Sequence, residues 1–104
     1  MADNEALTTD NEMLSKVKLS LRIMTNAFNE EINDLIEAAI LDLGIAGVDY
    51  ISTDDKLIVR AIITYCKMNF GESDNYAVYK QTYDEQKAQL SMATGYTEWT
   101  EAMS

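Results

Sequence analysis

Carboxylates dominate the side chains in this sequence that could do chemistry. Eighteen Asp and Glu stand against eight Lys and Arg in 104 residues, for a formal charge of −10, with no histidine and one cysteine. The adjacent acids Glu30-Glu31 and Asp54-Asp55 could hold a cation or divide acid and base roles. Both pairs, however, sit where the first turn of a helix favours negative charge, and capping is the stronger reading. Without histidine the chain cannot build a Ser-His-Asp or Cys-His pair, an HExxH zinc site or any imidazole-ligated metal. Cys66 lies at helical spacing from Ile62 and Phe70 and reads as a buried structural thiol. The glycines at 44, 47, 71 and 95 are too scattered for a phosphate-cradling loop, and no Asp-Ser-Leu attachment site for an acyl carrier occurs. The expectation is no enzyme, with no catalytic residue, no cofactor and no metal.

Charge distribution says more than any motif. From Ile23 to Asp55 there is no Lys or Arg, while Glu30, Glu31, Asp34, Glu37, Asp42, Asp49, Asp54 and Asp55 all fall there. One side of the molecule should be strongly negative, either as a solvated face or as a surface for basic partners that repels DNA. Phosphate-backbone binding needs Lys and Arg to release counterions, so nucleic acid is not the expected ligand. No apolar run approaches the roughly 20 residues that span a bilayer, and Met1 to Leu14 lacks a basic n-region. A lone cysteine fits a reducing compartment, and the expected placement is cytosolic with no membrane partner.

These side chains need helices to position them. Proline is absent, hydrophobic residues make up 47% and charged residues 25%, so one soluble all-α domain is predicted. Thr9-Asp10-Asn11-Glu12 has the form of a reciprocal cap, and Leu14, Val17 and Leu21 follow at spacings of three and four, which predicts helix 1 over 10–23. Helix 2 is predicted over 30–43, capped by Asn29 and stopped by Gly44, with Ile32, Leu35, Ile36, Ala39, Ile40 and Leu43 as its apolar stripe. The connection after it should tuck Ile45, Val48 and Ile51 against the core, with room for a short extended piece. Helix 3, over 54–70, is apolar on more than one face and must be covered on several sides. Helix 4, over 75–93, carries Tyr76, Tyr79, Tyr83 and Leu90, with Gln86 or Lys87 filling the intervening turn and Ser73 or Asp74 as its cap. The predicted core is Leu14, Val17, Leu21, Ile32, Leu35, Ile36, Ala39, Ile40, Leu57, Ile58, Ala61, Ile62 and Tyr65. The fold class is thus a small bundle of about four helices around helix 3. It has a flexible N-terminal segment (1–9), a helical domain (10–95) and a C-terminal tail (96–104) that holds Tyr96 and Trp99.

The runs from Leu14 to Val48, Leu57 to Gly71 and Tyr79 to Tyr96 resemble the head-tail connector (adaptor) proteins of tailed bacteriophages and prophages, over about Leu14 to Trp99. The most specific pieces are Leu21-Arg22-Ile23, Ala27-Phe28, Leu35-Ile36-Glu37-Ala38-Ala39 and Tyr65-Cys66-Lys67-Met68-Asn69-Phe70. Where similar proteins often carry an acid after the Phe, this chain has Asn29. The resemblance implies a structural virion protein of the neck, made in the host cytoplasm. Its copies would form a homo-oligomeric ring, dodecameric on the portal protein, that joins the DNA-filled head to a stopper or other tail protein and lets DNA pass without specific binding. On that reading Tyr96 and Trp99 are candidates for portal docking. Tyr76, Tyr79 and Tyr83 are candidates for subunit contact, divided between core and neighbour, and Glu30, Glu31, Asp34 and Glu37 for lining the channel. The competing class is an acidic helical regulator or DNA mimic that binds a basic partner, for which the charge is the whole case.

Overall fold

A computed structural model describes residues 4–48, 51–52, 54–71 and 74–93. They form four helices, α1 (Asn4–Leu21), α2 (Asn29–Ile45), α3 (Lys56–Asn69) and α4 (Tyr76–Met92), with no strand among the described residues. This is the expected all-α bundle. α3 packs on α1, α2 and α4, and among the described residues it is the only helix to meet all three others extensively. Its buried residues Ile58, Val59, Ala61, Ile62, Thr64, Cys66 and Met68 cover roughly 220° of its circumference at 100° per residue, which is why three neighbours are needed to cover them.

Most of the apolar stripes lie where their periodicity puts them. Val17, Ile32, Ala39, Leu43, Ile58, Ala61, Ile62 and Cys66 are fully buried, with Leu14 and Ile36 close behind, while Leu21, Leu35, Ile40 and Tyr65 pack partly buried against them. Leu57 is a correction: in the first turn of α3 it is 49% exposed. Met13, Val59, Met68, Tyr83 and Leu90 complete the core instead.

The helix ends differ from expectation in instructive ways. α1 begins at Asn4 rather than near Asp10, since Asn4 to Thr9 contains no glycine or proline to stop a helix. It ends at Leu21, where the Ile23 amide donates to the Lys18 carbonyl (2.9 Å) and the Arg22 amide to that of Leu19 (3.2 Å). That closure places Arg22 in the left-handed region at φ 63°. α2 does not stop at Gly44, which lies inside the helix; Gly47, at φ 96°, takes the left-handed position. The Val48 amide then reaches the Leu43 carbonyl at 2.9 Å and buries both side chains. The same turn points Ile45 outward, 87% exposed, rather than into the core, whereas Val48 is buried and Ile51 half-buried as expected.

Asn29 is the first residue of α2, not its cap: Phe28 holds the cap position and its carbonyl accepts from Ile32. Phe28 also meets the Phe70 ring edge-on at 5.6 Å, tying the entry of α2 to the exit of α3. α3 starts at Lys56 with Asp55 as its cap, the carboxylate accepting from the amides of Leu57 (2.9 Å) and Ile58 (3.4 Å). At α4 the cap position belongs to Asn75 rather than Asp74, and Ser73 lies outside the described residues.

Candidate functional site

α2 presents two faces of opposite character. Ile32, Ile36, Ala39 and Leu43 are buried, and on the other side Glu30, Asp34, Glu37, Leu41, Gly44 and Ile45 fall within about 100° of arc, all exposed. Glu31 is exposed on the flank of that stripe. The four carboxylates singled out from the sequence therefore stand in solvent on one helix, spread over two turns, with no Lys or Arg in an ion pair with any of them among the described residues. Beyond Glu37 the exposed stripe changes chemistry: Leu41 is 69% exposed and Ile45 is more so.

The tyrosines of α4 are graded from solvent to core. Tyr76 is exposed, Tyr79 is half-buried and Tyr83 is fully buried. In the expected division between core and neighbour, Tyr83 falls on the core side, with its ring and hydroxyl both engaged inside the chain. The ring packs edge-on against Tyr65 at 5.3 Å, and the hydroxyl donates to Asp42 Oδ2 at 2.6 Å. The Lys87 ammonium, one turn further along α4, donates to the same oxygen at 3.1 Å and lies 5.2 Å from the Tyr83 ring centre. Lys87 does fill the turn left open in the α4 stripe, while Gln86 is half-buried beside it.

This cluster is a latch rather than a reactive centre. Burial alone would raise the Asp42 pKa, but the hydrogen bonds from Tyr83 and Lys87 and the Lys87 charge outweigh it and hold the carboxyl below its ordinary value. Burial, and then the negative Asp42 beside them, push the phenols of Tyr83 and Tyr65 upward. Both stay protonated, so Tyr83 keeps donating. Sequence reasoning missed the latch because its partners are 41 and 45 residues apart. A signal was nonetheless present: a lysine one turn after a tyrosine on an otherwise apolar face needs a carboxylate from the neighbouring helix.

Among the described residues, no other polar cluster converges. Cys66 is buried and its thiol is pushed up to about 12 by desolvation, which removes it as a nucleophile. Among the described residues, no group of three or more His, Cys, Asp or Glu could hold a metal, and no helix is long and apolar enough to cross a membrane. The hollow along α4, bounded by Tyr76, Lys80, Asp84 and Ala88, is an open helix flank with no buried polar group aimed into it. Tyr96 and Trp99 lie outside the described residues. Residues 13–97 match the family model described as phage connector protein. No curated protein and no solved structure matches the chain.

Proposed function

The chain belongs to the phage connector protein family, and from that membership we propose that it is an adaptor. Its copies form a ring beneath the portal vertex and extend the DNA channel of the head toward the stopper or tail. The observation that carries this reading is that the match runs from Met13, midway along α1, to beyond the end of α4, with the polar cluster at Asp42 spent on holding helices together. The protein works by shape and surface, with no enzymatic step and no cofactor. Its place is the virion neck, reached by assembly in the host cytoplasm.

Each surface then has a task. The exposed carboxylates of α2 face the channel, where a negative wall denies DNA the counterion-releasing contacts that would hold it, so the duplex slides. Tyr76, exposed at the start of α4, meets a neighbouring subunit, and Tyr79 contributes its outer edge. Tyr96 and Trp99 dock on the portal protein, with the indole as the energetic anchor.

Co-purification with the neighbouring portal protein followed by electron microscopy tests the reading. A ring of density beneath the portal, present with this chain and absent without it, is expected. Monomers by mass photometry in the presence of purified portal would overturn it, and capture of a basic nucleic-acid-binding protein in place of portal would favour the DNA-mimic class. Deleting residues 96–104 should abolish portal binding while leaving the melting temperature nearly unchanged.

A further inference from the structure

Two exposed sites break a local backbone rule, and they break it in opposite senses. At the end of α1 the left-handed position that glycine fills without strain is held by Arg22, at φ 63°. Its side chain is exposed and has no ion-pair partner among the described residues. Near the end of α2, Gly44 occupies an ordinary helical position, where a Cβ would meet nothing within 4 Å. Nothing in the packing of the described residues asks for an arginine at the first site or a glycine at the second. Local rules broken without an internal compensation point to a contact outside the chain.

The surroundings of the two sites complement each other. Arg22 borders a shallow groove flanked by Leu19 and Met24, which are 76% and 94% exposed. Gly44 lies between Leu41 and Ile45, 69% and 87% exposed, with Glu37 one turn before Leu41 on the same stripe. The first patch sets exposed apolar side chains beside the cations Arg22 and Lys18, and the second sets them beside the carboxylate of Glu37. They cannot meet within one copy: a seven-residue connection keeps the end of α1 near the start of α2, and Leu41 lies about 18 Å further along that helix.

We propose that the end of α1 in one copy docks on the exposed face of α2 in the next. Leu19 and Met24 lie over Gly44 between Leu41 and Ile45, and Arg22 pairs with Glu37. The glycine lets the partner approach the helix backbone, and the arginine is retained in a strained conformation for the charge it presents. Each copy offers two different surfaces, so the contact propagates head to tail and closes when the rotation per subunit is right. Among copies that each carry −10, a contact pairing an otherwise free cation with a carboxylate is one of the few that charge favours. This rests on the ring reading and assigns its subunit contact; it takes Glu37 from the channel-facing set and leaves Glu30, Glu31 and Asp34 there.

Disulfide trapping tests the assignment, and the buried Cys66 leaves the native chain without a competing thiol. An equimolar mixture of Leu19→Cys and Ile45→Cys chains, mildly oxidised, should give linked heterodimer severalfold above Leu19→Cys mixed with Leu57→Cys, and a chain bearing both new cysteines should give a ladder of linked oligomers. Gly44→Leu should cut the yield to the control level without lowering the melting temperature. Arg22→Glu should do the same and be rescued by Glu37→Arg on the other chain. Control-level linking from chains that nonetheless form a ring on portal would overturn this contact and leave the ring standing. Preferred Leu19–Leu19 or Ile45–Ile45 dimers would overturn it in favour of a two-fold contact. Specific linking without any ring on portal would overturn the ring reading alone.

Discussion

The junction of α3 with α1 and α2 and the junction of α3 with α4 are built from different materials. The first is aliphatic: Val17, Ile32, Ala39, Leu43, Ile58 and Ile62 are all fully buried, and no side-chain hydrogen bond is needed to align them. The second rests on two buried residues of α4, Tyr83 and Leu90, and on Asp42, which reaches its edge from α2 and gathers the Tyr83 phenol and the Lys87 ammonium. Aliphatic burial is non-directional and indifferent to pH and salt, whereas the latch is directional and sensitive to both. α4 packs extensively on α3, and part of its placement also depends on a contact that pH and salt can change.

Cutting into each junction should separate them. Ile62→Ala removes a fully buried side chain from the aliphatic side and should cost about 2 to 5 kcal/mol by transfer and cavity terms together, read by urea unfolding. A loss below about 0.5 kcal/mol, as for surface sites, would mean this face is not the core. At the latch, Tyr83→Phe keeps the ring against Tyr65 and removes only the hydroxyl. The expected loss is about 1 to 2 kcal/mol, the low end for a hydrogen bond to a charged group because Asp42 is a third exposed.

The latch also carries a pH signature. The folded pKa of Asp42 lies below its unfolded value near 3.8, so its contribution is complete above that value and is lost as pH falls through the lower folded one. An acid titration of stability should therefore flatten in Asp42→Asn relative to the native chain below about pH 4, with no difference in slope above pH 6. An equal acid dependence in both chains would remove Asp42 from the account.

What the sequence made legible follows the same division. The aliphatic junction is periodic, and spacings of three and four identified nearly all of its residues, because burying one stripe per helix is a local pattern with a global consequence. The latch is not periodic: Asp42, Tyr83 and Lys87 meet only once α4 has folded over α3, and no local feature of Asp42 distinguishes it from the acids around it. The end of α2 departs from its expected place for a third reason. Gly44 looks like a helix stop because glycine is the usual one, but Gly47 is the residue whose closure buries Val48 on Leu43, and burial decided between them. Of the surface residues, the exposed acids of α2 were placed correctly by their spacing, whereas the exposure of Leu41 and Ile45 beside Gly44 emerged only with the fold.

The two misplaced helix-end residues give smaller effects of opposite sign to the core mutations. Arg22→Gly should relieve left-handed strain and stabilise the isolated chain by about 1 kcal/mol. Gly44→Ala should add roughly 0.5 to 1 kcal/mol by helix propensity, since the new methyl meets nothing. Both gains should be visible as raised melting temperatures. If either substitution destabilises the isolated chain, its residue is held by a contact within the chain and not kept for one outside it.

The smallest effect sharpens the comparison most, because it comes from the same helix as the latch and from nearly the same geometry. Lys80 and Asp84 form an ion pair at 2.9 Å, a shade shorter than Lys87 to Asp42 at 3.1 Å, so distance alone would rank it stronger. Its partners, however, are 53% and 48% exposed and belong to one helix, whereas Lys87 and Asp42 are 28% and 34% exposed and join two. An exposed pair four residues apart is worth about 0.3 to 0.5 kcal/mol, less with the cation on the N-terminal side as here, and salt screens it. Lys80→Ala should therefore shift stability least of these variants and by nothing measurable in 1 M salt, where the Debye length falls to about 3 Å. Lys87→Ala should cost more at both ionic strengths, because it also uncovers the Tyr83 ring and removes one of the two donors to a half-buried carboxylate. Equal losses from the two lysines would show that the latch owes nothing to its position between helices, and the distinction between the two junctions would fail there.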